Sequence, residues 1–447
     1  MFDIRVKPNL VEKALLVGIY FDRRESAEAE DCLLELRELV ETLKISIEES
    51  VLVFARDVTA RHLCGSGKAA ELMEQAKQAG CDCIVFDNEL SPAQQRAWEE
   101  ESGLCVIDRQ EVILDIFNLR AKTREARLQV DMARMAYSMP RLTRMWAHLD
   151  RQGGSGAGPG AARGEGETQL EVDRRLANKR VDKLKADLEE IRRQRDTQRK
   201  ERTRQDFPHA SIVGYTNVGK SSLLNRLTES TVLAENKLFA TLDTSTRRME
   251  LPDGQEILLT DTVGFVRRLP HDLVQSFRAT LEEAMVADFL IHVLDASHAS
   301  VDRFYQTTTE VLRELGAGDK KVILVMNKVD LIEDPERRQD LETRYPDAAF
   351  LSVKTGEGVD TLLHRMHSLV LDRVVRFHLF IPMNRLDLVS LAHQEGKVFT
   401  EEYGESGASL ECVVPRKLAS RFVEFEVAPP KRKSAARKKL STAASNE

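Results

Sequence analysis

The stretch Gly214-Tyr215-Thr216-Asn217-Val218-Gly219-Lys220-Ser221 constrains this chain more than any other, because it fits G-x-x-x-x-G-K-[ST] in full. It follows the apolar run ASIV and leads into SSLLNRL, so it reads as a buried strand turning through a glycine-bounded loop into a helix. In such a turn the glycines let backbone amides surround phosphate oxygens, and the helix N-terminus adds a favourable dipole. The pattern assigns Lys220 to the β- and γ-phosphates and the Ser221 hydroxyl to Mg²⁺. Eight positions can match by chance, so the rest of a nucleotide site must follow at workable distances.

It does follow. LLTDTVGF ends an apolar strand in Asp261, a carboxylate that can hold Mg²⁺ through water; Thr262 and Val263 lead to Gly264, whose amide can meet the γ-phosphate. VILVMNKVD sets Asn327, Lys328, Val329 and Asp330 just beyond another buried strand. An aspartate there accepts from the N1–H and 2-amino group of guanine, a donor pair that adenine lacks. A site built around such hydrogen bonds rejects the analogue without them by orders of magnitude. The base is therefore read as guanine and the substrate as GTP. In FLSVKTGEG, Ser352-Val353-Lys354 resembles the short loop whose backbone touches the guanine edge in such proteins.

Two details bear on hydrolysis. Many small GTPases carry a glutamine just after D-x-x-G to orient the attacking water, but Phe265 stands there in this chain. An apolar side chain cannot position water, so slow hydrolysis is expected unless a partner or a bound monovalent cation helps. Asn217 resembles the asparagine of potassium-activated GTPases, which puts K⁺ beside it; the alternative is that Asn217 only shapes the loop.

Around this centre the chain divides by pattern. At 447 residues it is long for one domain, and about three domains are expected. From about 13 to 117 apolar runs (ALLVGIYF, VLVFAR, CDCIVFD, LCVID) alternate with helical patterns, the signature of an α/β unit. Ser91, Pro92 and Gln94 supply a capping box for one of its helices. Gly65-Ser66-Gly67-Lys68 looks like a second phosphate turn, but it lacks the earlier glycine and the hydroxyl after the lysine, so it reads rather as a helix start. A continuous helical pattern runs from Gln110 to about Trp146, broken only at Pro140, which must kink or restart it. After the glycine-rich RQGGSGAGPGAARGEGE, a second helix is expected from about Gln169 to Gln205. Its sparse apolar residues, Leu170, Val172, Leu176, Val181, Leu184, Leu188 and Ile191, suffice for one narrow seam. The boundaries are an N-terminal α/β unit over 1–118, a helical hairpin with a glycine-rich tip loop over 119–206, and a nucleotide-binding G domain over 207–372. A small α+β domain over 373–428 follows, pictured as a ferredoxin-like sandwich, and then a basic tail over 429–447. The fold class is α/β.

Composition narrows the partners. With 42% hydrophobic and 31% charged residues the chain is globular in type. No apolar run reaches a membrane span, and MFDIRVKPNLVEK lacks a signal peptide's apolar segment, so a cytoplasmic protein without a membrane anchor is expected. The six cysteines lack metal-site spacing and read as buried thiols. The net charge of −7 hides clustering: 190–204 and KRKSAARKK at 431–439 are strongly basic, as RNA-contacting segments are.

The N-terminal α/β unit with GSGK, the hairpin carrying GEGETQLEVDRR, the guanine motifs and DTVGFVRRLP together resemble the HflX family of ribosome-associated GTPases, over nearly all of the chain to about 425. The resemblance implies a monomer that binds the large ribosomal subunit and ribosomal RNA, uses GTP and Mg²⁺, splits or rescues stalled ribosomes under stress, and hydrolyses GTP faster on the ribosome. FATLD resembles that family's nucleotide-sensing segment, which implicates Phe239, Ala240, Thr241, Leu242 and Asp243 and favours Thr241 over Thr244 as a metal ligand. The catalytic roles then fall to Lys220, Thr241 and Gly264, and the metal to Ser221 and Thr241, with Asp261 through water. Thr244 where proline is common, the expanded glycine loop and the basic tail depart from the family pattern without touching a phosphate-binding position. A 30-residue helical arm would reach roughly 45 Å, enough to carry the glycine-rich tip, with Arg151 and Arg163, into an RNA groove. Two other readings compete: an RNA-remodelling, helicase-like enzyme with an N-terminal ATP site, and a GTP-controlled regulator of a non-ribosomal protein.

Overall fold

Short β-branched runs bounded by helix caps dictate the N-terminal architecture. In a computed structural model, which describes residues 11–152, 169–204, 207–228, 239, 242–252, 254–267, 283–371 and 374–427, those runs become β1 (Lys13–Tyr20), β2 (Ser46–Phe54), β3 (Cys83–Phe86) and β4 (Cys105–Asp108). They form a parallel sheet in the order β2-β1-β3-β4. The crossovers are α1 (Ser26–Thr42), α2 (Ser66–Gln78) and α3 (Pro92–Ser102). The capping box at α3 is present: Gln94 N donates to Ser91 Oγ, and Ser91 N donates to the Gln94 side chain. Parallel strands need cover on both faces, which explains why β1 and β3 are apolar almost throughout. Leu15, Val17, Ile84, Phe86, Trp98 and Val106 fill one core. All six cysteines are free thiols, and the described residues contain no group of three or more His, Cys, Asp or Glu suited to a metal.

The helical stretch after β4 differs from expectation. It is two helices, α4 (Arg109–Arg120) and α5 (Arg124–Gln152), and the break falls at 121–123 rather than at Pro140. Ala121 turns extended, and Thr123 restarts the helix by accepting from Ala126 N through its hydroxyl. Pro140 lies inside α5, where the Arg141 guanidinium reaches back to the Tyr137 carbonyl at 2.9 Å and Arg141 also holds Gln95 and Leu90. Those tertiary bonds hold the helix on course despite the missing amide. The second arm, α6 (Gln169–Arg204), is 36 residues long, roughly 54 Å. Of its seam, Leu184 and Leu188 are buried, but Leu176 is 40% exposed. The glycine-rich stretch 153–168 and the tail from 428 lie outside the described residues.

The next sheet carries β5 (His209–Gly214), β6 (Ser245–Glu250), β7 (Glu256–Asp261), β8 (Phe289–Asp295), β9 (Lys321–Asn327) and β10 (Ala348–Phe350). Its order is β10-β9-β8-β5-β7-β6, parallel except for the β6–β7 edge. The helices are α7 (Lys220–Thr228), α8 (Val301–Glu314), α9 (Pro335–Arg344) and α10 (Val359–Leu371). Ligands of open α/β sheets bind beyond the carboxyl ends of such strands. The ends of β5, β7 and β9 carry the three sequence motifs.

The described residues fall into two compact bodies: those up to 200 and from 207 to 364 form the first, those at 201–204 and from 365 onward the second. The second contains β11 (Val374–Pro382), α11 (Asp387–Glu395), β12 (Lys397–Gly404) and β13 (Gly407–Pro415). The antiparallel order β11-β13-β12, with one helix, makes it α+β. Among the described residues it lacks the fourth strand and second helix of the expected ferredoxin-like sandwich. Phe377, Leu379, Ile381, Leu388, Leu410 and Phe422 already close its core.

Candidate GTP site

Crowding and backbone conformation together explain the glycines of the phosphate loop. Gly214 has φ 147°, and a Cβ there would lie 2.2 Å from the Val293 carbonyl on β8. Gly219 has φ 97°, and its Cβ would meet Asn327 Nδ2 at 2.5 Å. Asn217 sits at φ 60°, a left-handed conformation that asparagine tolerates better than most residues. At the start of α7, Lys220 bends back and donates to the Tyr215 carbonyl at 2.6 Å. Burial pulls its pKa down to about 8, with Asp261 opposing the shift.

Beside it, Ser221 Oγ donates to Asp261 Oδ2 at 2.6 Å. The hydroxyl and carboxylate assigned to Mg²⁺ are therefore neighbours, an all-oxygen pair that suits a hard cation. Thr262 Oγ1 donates to the Ile212 carbonyl at 2.7 Å and fixes the strand end against β5. Val263 is buried. Gly264 packs onto the loop so closely that a Cβ would lie 2.7 Å from Thr216 Cγ2 and 2.8 Å from Lys220 Nζ. Phe265 extends this contact as an isolated parallel bridge to Tyr215, its N–H donating to the Gly214 carbonyl at 3.1 Å and its carbonyl accepting from Thr216 N at 2.8 Å. Its side chain is buried, in keeping with its inability to orient water.

The guanine motifs meet through one side chain. Buried Asn327 donates to the Val218 carbonyl at 2.7 Å and accepts from Val353 N at 3.1 Å, joining the phosphate loop to the loop at 352–354. Ser352 shapes that loop through Ser352 N to Glu357 O, 2.9 Å, and Thr355 N to Ser352 Oγ, 3.2 Å. Lys328, at φ 64°, pairs with Asp295 at 2.7 Å; Val329 is buried, while Asp330 and Lys354 are exposed. The Asp330 carboxylate is thus open to a base.

The FATLD segment is anchored elsewhere. Buried Phe239 meets Phe117 of α4 edge-on at 4.6 Å, and Leu242 is buried. Asp243 accepts from Lys122 N at 3.0 Å, from Thr123 N at 3.2 Å and from the Thr123 hydroxyl, so its carboxylate is taken up by the α4–α5 break. Arg195 of α6 bridges Thr244 at 3.1 Å and Glu125 at 3.2 Å. Ala240 and Thr241 lie outside the described residues. The GSGK turn starts α2 with Gly65 as its cap, and Lys68 is held by Glu71 at 2.6 Å within that helix.

One contact surface beside the site is not visible in the sequence. Glu28, Asp31 and Glu35 recur at three and four residues on α1 and resemble an ordinary solvated face. Instead Glu28 binds Arg303, Asp31 binds Arg267 at 3.3 Å and Ser300 at 3.0 Å, and Glu35 binds Tyr215 at 2.8 Å. The basic residues opposite them were the available signal, scattered too far along the chain to be matched without the fold.

Three family profiles match the chain in order: "GTP-binding GTPase N-terminal" over 30–118, "GTP-binding GTPase Middle Region" over 120–202 and "50S ribosome-binding GTPase" over 209–328. A curated relative from Akkermansia muciniphila, named GTPase HflX, is 55% identical over 434 residues, covering 95% of this chain and 99% of its own length. Relatives of that name from Chlamydia pneumoniae and Escherichia coli K12 are 39% and 41% identical, covering 95% and 90% of this chain and 90% and 94% of their own.

Proposed function

The chain belongs to the HflX family of GTPases, and from that premise we propose that it binds the large ribosomal subunit through ribosomal RNA and uses GTP to split or rescue stalled ribosomes under stress. The observation that carries this reading is the joining of a guanine-nucleotide site to a long charged hairpin through the FATLD anchors Phe239 and Asp243. Basic residues along α6 suit an RNA backbone. The ribosome is then the activator that Phe265 makes necessary. Lys220 neutralises phosphate charge, the Gly264 amide meets the γ-phosphate, and Asp330 selects guanine. Ser221 and Thr241 would hold Mg²⁺, with Asp261 through water; the ion supplies charge neutralisation at the phosphates. The protein acts in the cytoplasm as a monomer, in four domains divided near 118, 206 and 372 and a basic tail after 428.

Sedimentation with large subunits in a GTP analogue or GDP, together with GTP turnover with and without them, tests the reading. Failure both to co-sediment and to be stimulated would remove it. Replacing 153–168 by a tight turn should abolish subunit splitting while GTP binding persists; unchanged splitting would make the loop a spacer. Turnover in potassium against sodium tests the cation at Asn217, whose left-handed backbone is already sufficient reason for asparagine.

A further inference from the structure

We propose that Glu35, on α1 beside the N-terminal sheet, is a positioning residue for GTP hydrolysis: through the Tyr215 hydroxyl it sets the backbone that follows Gly264 against the phosphate loop. Tyr215 is the second residue of the phosphate loop, yet it is 3% exposed and its ring stacks on Phe304 at 4.2 Å and 15°. Its hydroxyl donates to Glu35 Oε1 at 2.8 Å and accepts from Arg267 N at 2.5 Å. Its backbone carbonyl accepts from Lys220 Nζ at 2.6 Å. One residue therefore holds the phosphate-binding lysine by its main chain and the segment after Gly264 by its side chain.

Glu35 is itself held firmly. The buried Arg109 guanidinium pairs with it at 2.9 Å and with Asp87 at 2.6 Å, and donates to the Cys32 carbonyl at 3.2 Å. Asp87 follows β3 and Arg109 follows β4, so the N-terminal sheet fixes the acceptor that Tyr215 uses. Arg267 is tied to the same helix by its guanidinium, 3.3 Å from Asp31, and lies 5.2 Å over the Phe304 ring. With the paired backbone of Phe265 and Gly214, these bonds make 264–267 an extension of the loop edge referenced to α1.

The grip on a β-phosphate comes from loop amides and the start of α7, which Tyr215 does not supply with its side chain. The Gly264 amide, by contrast, belongs to the segment that the hydroxyl anchors. Loosening that anchor should slow the chemical step while leaving GDP affinity nearly intact, a split that general destabilisation of the interface would not give. The inference rests on the GTP site described above, and GDP binding by the unaltered chain reads that site separately.

The test uses the full chain: single-turnover GTP hydrolysis without ribosomes, affinity for a fluorescent GDP, and thermal melting. Tyr215→Phe, which keeps the stack, should lower the rate by about tenfold and change GDP affinity by less than about twofold. Glu35→Gln retains an oxygen for the phenol and should restore most of the rate lost in Glu35→Ala. The double variant Tyr215→Phe/Glu35→Ala should be no slower than the slower single variant, since the bond proposed to matter, Tyr215 to Glu35, is already lost in each. A Tyr215→Phe rate within about twofold of the parent, multiplied losses in the double variant, or GDP affinity falling in step with rate would each overturn the proposal. Should Glu35→Ala fail to fold, Tyr215→Phe decides alone.

Discussion

Nucleotide binding should draw a proton onto Lys220. Burial lowers its pKa to about 8, so in the unliganded chain about half the molecules carry a neutral amine at pH 8, and roughly one in ten at pH 7. A phosphate beside the amine favours the ammonium and returns the pKa toward or above the usual lysine value. Binding GDP in Mg²⁺ buffer should therefore take up about 0.5 proton at pH 8 and about 0.1 at pH 7. Because binding takes up protons, affinity should fall as pH rises through 8, by up to about tenfold per unit. The unliganded fold has the opposite slope: the unfolded lysine binds more protons between the folded and unfolded pKa values, so its contribution to stability rises with pH there. Titration calorimetry in buffers of different ionisation enthalpy reads the proton count as the slope of observed heat against buffer heat. Lys220→Arg, permanently charged, should lose this uptake. A zero slope at pH 8, or the same slope in Lys220→Arg, would refute the argument.

Three further outcomes follow from the same geometry. Asp330→Asn should weaken GDP binding by about 100-fold or more, the worth of two bonds to a charged acceptor, and should favour xanthine nucleotides, whose C2 oxygen accepts from an amide; competition binding checks both. Gly264→Ala forces a methyl to within 2.7–2.8 Å of Thr216 and Lys220 and should cost at least about tenfold in GTP turnover, with GDP binding less affected; parent-like turnover would show the contact relaxes freely. His292 is buried against Tyr305, and burial together with Lys220 pulls its pKa down to about 3. Its folded pKa lies below the unfolded value, so the fold should lose up to about 1.4 kcal/mol per pH unit as pH falls from 6.5 toward 3. Urea denaturation of His292→Phe between pH 6.5 and 4.5 should show a shallower loss; parallel slopes would exclude His292 as the source.

Much of the site was readable because each motif is local. Gly214, Gly219 and Lys220 are fixed by one strand–loop–helix turn, and Asp261 and Asn327 each end an apolar strand of the same sheet. The α3 capping box was equally local. The misreadings involve contacts distant in sequence. A helix expected to run on from Gln110 breaks at 121–123, where Asp243, some 120 residues later, takes the exposed amides of Lys122 and Thr123. The proline expected to interrupt it is tolerated because Arg141 is held by Gln95 and Leu90.

The nucleotide chemistry was legible along the chain, since phosphate and guanine recognition depend on residue types at short, fixed spacings. That the Tyr215 hydroxyl meets Glu35, and that Asp243 holds the hairpin's base, came from packing between distant segments. Hydrogen bonds and ion pairs between distant segments depend on distance in space, and neither periodicity nor composition encodes which acidic helix face will meet which arginine. The same carboxylates at three- and four-residue spacing could have faced water; packing of α1 against the G domain instead set Glu28 and Asp31 on Arg303 and Arg267 and brought Glu35 to Tyr215 of the phosphate loop.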